Sequence, residues 1–151
     1  MAEIHPTAAR FQEQLRARGL DVDVKTLPDS TRTAPEAAAA VGVEVGAIVK
    51  SLVFVRGEQP VMVLCAGDRR VAADRLGLAP ASAEQARAAT GFAIGGIPPL
   101  GHSTELDTLI DESLRRFETV WCAAGTPNAV FGVAPDVLIG AIPQGTVADV
   151  S

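Results

Sequence analysis

Two places in this 151-residue sequence put chemistry-bearing residues where folding alone would not need them. Lys50 interrupts the apolar run Ile48-Val49-Lys50-Ser51-Leu52-Val53-Phe54-Val55, and strand alternation sets it on one face with Ile48, Leu52 and Phe54. An ammonium on an apolar face is costly unless a partner meets it. Two readings stand side by side: a lysine that snorkels to solvent from a strand end, or a cation held at a pocket edge to meet an anionic or developing negative group. The second place is Gly91 to His102, which packs four glycines and two prolines into twelve positions. Glycines such as Gly95 and Gly96 let a ligand approach the backbone. Free N–H groups there form an anion-binding concavity, and Pro98 and Pro99 hold the loop in shape. On this reading a branched side chain at Gly96 damages activity more than stability. An ordinary structural turn explains the same pattern.

Other catalytic arrangements fit less well. The segment has no Gly-Lys-Ser/Thr of a phosphate loop and the wrong glycine spacing for a dinucleotide fingerprint. With His5 and His102 as the two histidines there is no metal-ligand spacing, and neither Ser nor Cys stands in a nucleophile-elbow context. No cofactor or metal is implied. His102 reads equally as a general base, a ligand contact or a solvent-facing loop residue. Gly125-Thr126-Pro127-Asn128 reads first as a turn and second as a pocket wall. Asp68, beside Arg69 and Arg70, suits a surface ion pair, and Cys65 and Cys122, each within an apolar run, suit buried thiols.

Those residues must be positioned by a small protein with ample core material. Hydrophobic residues make up 48% and charged residues 21%, which fits one domain over residues 1–151. A net charge of −5 argues against a broad basic face that coats nucleic acid, so any such contact must be local, with Arg32, Arg69, Arg70 and Arg75 as candidates. The chain has no long uncharged apolar stretch and no basic-then-apolar leader, so it is expected to be cytoplasmic and soluble, with no membrane partner.

Periodicity then supplies the elements. A helix is predicted from about Thr7 to Arg18, stopping at Gly19, followed by a short strand at Val22 and Val24. Thr33 and Glu36 have capping-box spacing with Pro35 in the first turn, which predicts a helix to Val41 ending at Gly42; Ser82 and Gln85 predict another ending near Thr90 and Gly91. Between them, Ile48 to Val55 and Val61 to Ala66 form a predicted hairpin, apolar on both faces and so central and covered on both sides. Later strands are expected at Phe92 to Ile94, Leu106 to Ile110, Thr119 to Ala123 and Ala129 to Val133. Short helices are expected near Glu112 to Phe117 and Pro135 to Leu138.

At these residues the sequence resembles the YbaK and prolyl-tRNA-synthetase-associated editing family. The matching segments are Ser30-Thr31-Arg32-Thr33-Ala34, Ile48 to Phe54, Gly67-Asp68-Arg69-Arg70, Gly91 to Pro99, and Phe117-Glu118-Thr119-Val120 followed by Gly125. They span most of the chain in family order. The resemblance implies an α/β fold with a mixed, barrel-like β-sheet surrounded by helices. It also implies a free-standing enzyme that hydrolyses the ester of a small mischarged amino acid, alanine, 2-aminobutyrate or cysteine, on tRNA, with proline tRNA the expected carrier. Lys50, Gly95 and Gly96 take the catalytic positions. Thr31, Arg32, Ile97, Pro98, Pro99, Gly101, His102 and Gly125 take the substrate-binding ones, and Arg69 and Arg70 meet the tRNA. Pro98 stands where relatives such as YbaK carry Ser, a departure that bears on amino-acid specificity. The expected partners are the acceptor end of aminoacyl-tRNA and an aminoacyl-tRNA synthetase. The rival readings are a non-catalytic module that binds aminoacyl-tRNA or a synthetase, and an unrelated small-molecule hydrolase using His102.

Overall fold

The computed structural model describes residues 6–27 and 33–151; Thr31 and Arg32 lie outside them. In chain order the helices are α1 Pro6–Ala17, α2 Ala34–Val41, α3 Ala73–Leu76, α4 Ala83–Thr90 and α5 Pro135–Gly140. The strands are β1 Val24–Thr26, β2 Val49–Arg56, β3 Gln59–Ala66, β4 Ala79–Pro80, β5 Asp107–Asp111, β6 Val120–Ala123, β7 Ala129–Val133 and β8 Gly145–Ala148. Single 3-10 turns occupy Val45–Ala47 and Glu112–Arg116.

Local chemistry explains the helix limits. Thr33 Oγ1 accepts from the Glu36 N–H while the Glu36 carboxylate accepts from the Thr33 N–H, and Gly42 closes the helix in the left-handed region at φ 84°. Ser82 and Gln85 repeat the device for α4, with Gly91 at φ 81°. Such a cap contributes on the order of 1 kcal/mol, enough to fix where a two-turn helix begins.

The strands form two sheets, five-stranded in the order β4-β2-β3-β5-β8 and three-stranded in the order β1-β7-β6. Among the described residues they do not close into the expected barrel. A parallel bridge between Ile48 and Trp121 joins the sheets where β2 begins. The β2–β3 hairpin is in register from Val49↔Ala66 to Arg56↔Gln59, and the β3–β5 and β5–β8 pairings are parallel.

Alternation along β2 and β3 separates two apolar layers. Val49 and Val53 on β2, with Met62, Leu64 and Ala66 on β3, join the main core with Phe11, Leu15 and Phe131. Leu52, Phe54, Val61, Val63 and Cys65 pack with Leu78 and Val150 on the other face. β3 is buried as expected, but β2 is only half-buried along most of its length, because β4 covers just two of its residues.

One local expectation fails for a physical reason. Phe92 to Ile94 is not a strand: the Phe92 N–H is taken by Thr90 Oγ1 and the Ala93 carbonyl by the Gly96 N–H, so the segment folds back on itself. The short α3, β4 and β8 carry too few residues to show a period and were not foreseen.

Candidate active site

β2 is bonded to β3 along its whole length on one edge, whereas on the other edge β4 pairs with it at Phe54 and Val55 and the Ile48–Trp121 bridge ties β6 in beside its start. Between these contacts the strand edge opens into a cleft of about 570 Å³. The Ile48 carbonyl accepts from the Gly67 N–H on the β3 side, and the Val53 carbonyl accepts from the Ala81 N–H on the open side. Alternation therefore turns the Ser51 N–H and C=O toward the cleft. Opposite stands the loop Ile94 to Ile97, and Ala86, Trp121, Cys122 and Val130 complete much of the wall.

The loop is rigid through named contacts. Gly95 sits at φ 101°, where glycine is required; Gly96 is not in the left-handed region. Instead Gly96 donates to the Ala93 carbonyl and accepts from the Gly125 N–H at 2.9 Å. A Cβ added to Gly96 would lie 2.8–2.9 Å from the Thr126 backbone. Close packing inside the fold thus demands a glycine there, which opposes the expectation that a branched side chain at Gly96 damages activity more than stability. Among the described residues the N–H groups of Gly95 and Ile97 have no backbone acceptor, while Pro98 and Pro99 have no N–H to offer.

Lys50 is half-buried on the face it shares with Leu52 and Phe54, and its ammonium donates to the Arg69 carbonyl. Among the described residues no carboxylate forms an ion pair with it. It stands at the rim of the cleft, on the opposite side of the sheet from the Ser51 side chain.

Several expected site residues buttress the loop and do not line the cleft. His102 is half-buried, and its Nε2–H donates to the Pro98 carbonyl at 2.7 Å. It is not solvent-facing, and burial holds its pKa below the usual histidine range. Pro98 and Pro99 are buried behind Ile97. Gly101 packs on Phe11, and Gly125, at φ 98°, lets the chain pass the Phe92 ring. Of the expected set, the structure brings Lys50, Gly95, Gly96 and Ile97 together around the cleft.

Arg69 and Arg70 are exposed on the turn after β3, and the Arg69 side chain lines a separate polar depression with Asp111 and Arg115. Asp68 is held by a two-pronged contact from Arg116 at 2.8 and 3.0 Å, which keeps its carboxyl below the usual range. The expected ion pair is present, with Arg116 the stronger partner and Arg69 at 3.9 Å. Cys122 is part of the cleft wall, but burial pushes its thiol far up; burial likewise pushes Cys65 up to about 11. Neither is a thiolate at neutral pH. Among the described residues no group of three or more His, Cys, Asp or Glu side chains is placed to hold a metal, and no helix is long and apolar enough to cross a membrane.

Sequence reasoning gave no site role to Ser51, Trp121 or Cys122, although it read Cys122 as the buried thiol it is. Ser51 could have been found, since it is the polar position on the β2 face opposite Lys50; Trp121 and Cys122 gave no signal beyond an apolar strand.

Comparison with known proteins gives the family. Residues 28–141 match the model of the aminoacyl-tRNA editing domain. An uncharacterised Bacillus subtilis protein, YwhH, is 32% identical over 123 residues, covering 77% of this chain and 78% of its own. A crystal structure described as a candidate trans-editing enzyme for prolyl tRNA synthetase is 46% identical, with a TM-score of 0.89 and 99% of each chain covered. A chain from work on computational epitope grafting onto scaffold proteins is 41% identical, with a TM-score of 0.91 over 98% of this chain and 99% of that one. The match extends over most of the sequence, from the segment before α2 to the end of α5, and the chain belongs to the aminoacyl-tRNA editing domain family.

Proposed function

We propose that this protein is a trans-editing deacylase that hydrolyses the ester of a small mischarged amino acid, alanine, 2-aminobutyrate or cysteine, on proline tRNA. The observation that carries the reading is the cleft itself, where an open strand edge faces a fixed glycine loop across mainly apolar walls, with a lysine at the rim. An aminoacyl ester is already activated, so catalysis needs only a positioned water and stabilisation of the tetrahedral oxyanion. The N–H groups of Gly95 and Ile97 are the donors available for that oxyanion. Lys50, with no carboxylate partner among the described residues, meets the phosphate or hydroxyl of the terminal nucleotide at the rim. Val53, Ala86, Ile97 and Cys122 offer a small aliphatic side chain an apolar wall.

A synthetase pocket that admits proline cannot strongly exclude smaller side chains, because one methylene shifts binding by only about 1–3 kcal/mol. A second sieve then removes what the first lets through, in the cytoplasm where charged tRNA is made. The 46% identity to the candidate trans-editing enzyme supports the same partner, a prolyl-tRNA synthetase.

The test is deacylation of proline tRNA carrying alanine, cysteine, 2-aminobutyrate or proline. The small-residue esters should be cleaved and the prolyl ester spared. Lys50→Ala should lower the rate by on the order of 10²-fold at an unchanged melting temperature, and Lys50→Arg should also be poor, because a planar fork cannot replace a compact ammonium. Rapid cleavage of the prolyl ester, or of none of the four, would overturn the assignment. Binding of the charged tRNA without cleavage would identify a non-catalytic module.

A further inference from the structure

Ser51 carries an anomaly that the proposed roles of Lys50 and the glycine loop leave unused. Its Oγ is buried, yet among the described residues it has no hydrogen-bond partner. A buried hydroxyl without a partner is destabilising, so its persistence asks for a reason. The side chain shares the β2 face of Val49 and Val53, the face that looks across to Ala86, Ile97 and Cys122. Its own N–H and C=O also point toward the open edge, as argued above.

The other polar side chains of the cleft wall do not supply a free acceptor, and the Trp121 indole N–H only donates. Thr33 Oγ1 serves the cap of α2, the Lys50 ammonium binds the Arg69 carbonyl, and the Cys122 thiol is kept neutral by burial. No carboxylate and no histidine is among the lining residues described. Ser51 therefore has no base to activate it as a nucleophile. An aminoacyl ester, however, brings a polar group that an apolar cleft must accommodate: the α-ammonium beside the scissile carbonyl. A cation taken out of water needs an acceptor, and Ser51 supplies a hydroxyl oxygen and a carbonyl oxygen at one point of the wall.

We propose that Ser51 is a substrate-binding residue whose hydroxyl and carbonyl oxygens accept hydrogen bonds from the α-ammonium of the aminoacyl group, fixing the ester with its carbonyl toward Gly95 and Ile97. This rests on the deacylase reading for its substrate, but amino-group recognition is measurable without turnover. Its consequence is selectivity for free α-amino esters over deaminated acyl esters of the same shape.

The experiment compares alanyl and propionyl groups, which differ by the amino group, on wild type, Ser51→Ala and Ser51→Thr. On the tRNA esters, Ser51→Ala should lower kcat/KM for alanyl by roughly ten- to a hundredfold, the usual loss for a hydrogen bond to a charged group. The propionyl ester should change by less than about threefold, and Ser51→Thr, which keeps the hydroxyl, should recover most of the alanyl rate. In parallel, calorimetry with the non-hydrolysable 3′-alanylamino-3′-deoxyadenosine and its propionyl counterpart should show wild type favouring the alanyl compound and Ser51→Ala losing that preference. Ser51→Ala should melt no lower than wild type, since it removes an unpaired buried hydroxyl. Equal losses on both esters, equal wild-type affinity for both amides, or a marked fall in melting temperature would overturn the assignment. Alanyl-selective binding that depends on Ser51, without hydrolysis of any ester, would leave the amino-group site standing and overturn the deacylase reading alone.

Discussion

At the scale of single residues the site divides into groups that meet the cleft and groups that hold the loop, and charge state separates the two. The Lys50 ammonium at the rim places one of its three N–H groups on the Arg69 carbonyl, and the N–H groups of Gly95 and Ile97 have no backbone acceptor among the described residues, whereas His102 spends Nε2–H on the Pro98 carbonyl. That bond requires the Nε2 tautomer, and a second proton would have to sit on Nδ1 in a largely buried ring. The folded-state pKa of His102 is therefore depressed below its unfolded value of 6.5. The unfolded chain takes up the proton first, so the stability linked to this group is fully present above pH 6.5 and is lost as pH falls below it. Between pH 7 and pH 5 the wild-type melting temperature should decline more steeply than that of His102→Gln, which can still donate to Pro98 but does not titrate. Parallel declines would show that His102 protonates without strain, and would release it from the buttressing role.

Elements show why some of this was legible in the sequence and some was not. The limits of α2 and α4 could be read because their caps are made of residues three apart, so the signal and the structure have the same range. β3 could be read because burial on both faces makes it a continuous apolar run. Phe92 to Ile94 misled because an aromatic and a branched residue near glycine suit a strand, while the outcome depended on Thr90 taking the Phe92 N–H. The glycine loop was legible as a loop but not in its division of labour. Its contact with Thr126 lies thirty residues away in sequence, and no local pattern announces a neighbour at that distance. Gly96→Val should accordingly destabilise the whole protein by roughly 1–3 kcal/mol, the common cost of overpacking against unyielding neighbours. Denaturant midpoints at unchanged m-value would measure it. Full stability with lost activity would return Gly96 to a purely ligand-facing role.

For the whole molecule, the open edge of β2 is a consequence of topology: among the described residues the two sheets are joined by one hydrogen-bonded bridge, which leaves an edge of β2 open, and the loop after α4 returns to that gap. No run of residues encodes such a gap, so the sequence exposed Lys50 and the loop without showing the strand edge they share. The same scale sets how tRNA can be held. A chain of net charge −5 has no surplus of basic residues to spread along a duplex, and the exposed Arg69 and Arg70 lie on one turn whose backbone receives the Lys50 ammonium. On the proposed reading, these three cations contact about two or three phosphates of the single-stranded acceptor end. Each such contact contributes about −0.7 to the slope of log affinity against log salt concentration, so the total should lie near −2. Lys50→Ala should reduce the magnitude by ~0.7, and Arg69→Ala with Arg70→Ala together by about twice that. Binding of uncharged proline tRNA measured from 50 to 300 mM salt gives the slope, at conditions set by the experiment and with ~fourfold weakening per doubling of salt expected near that value. A slope steeper than about −5 would mean that the body of the tRNA is gripped by a surface far larger than the rim of this cleft.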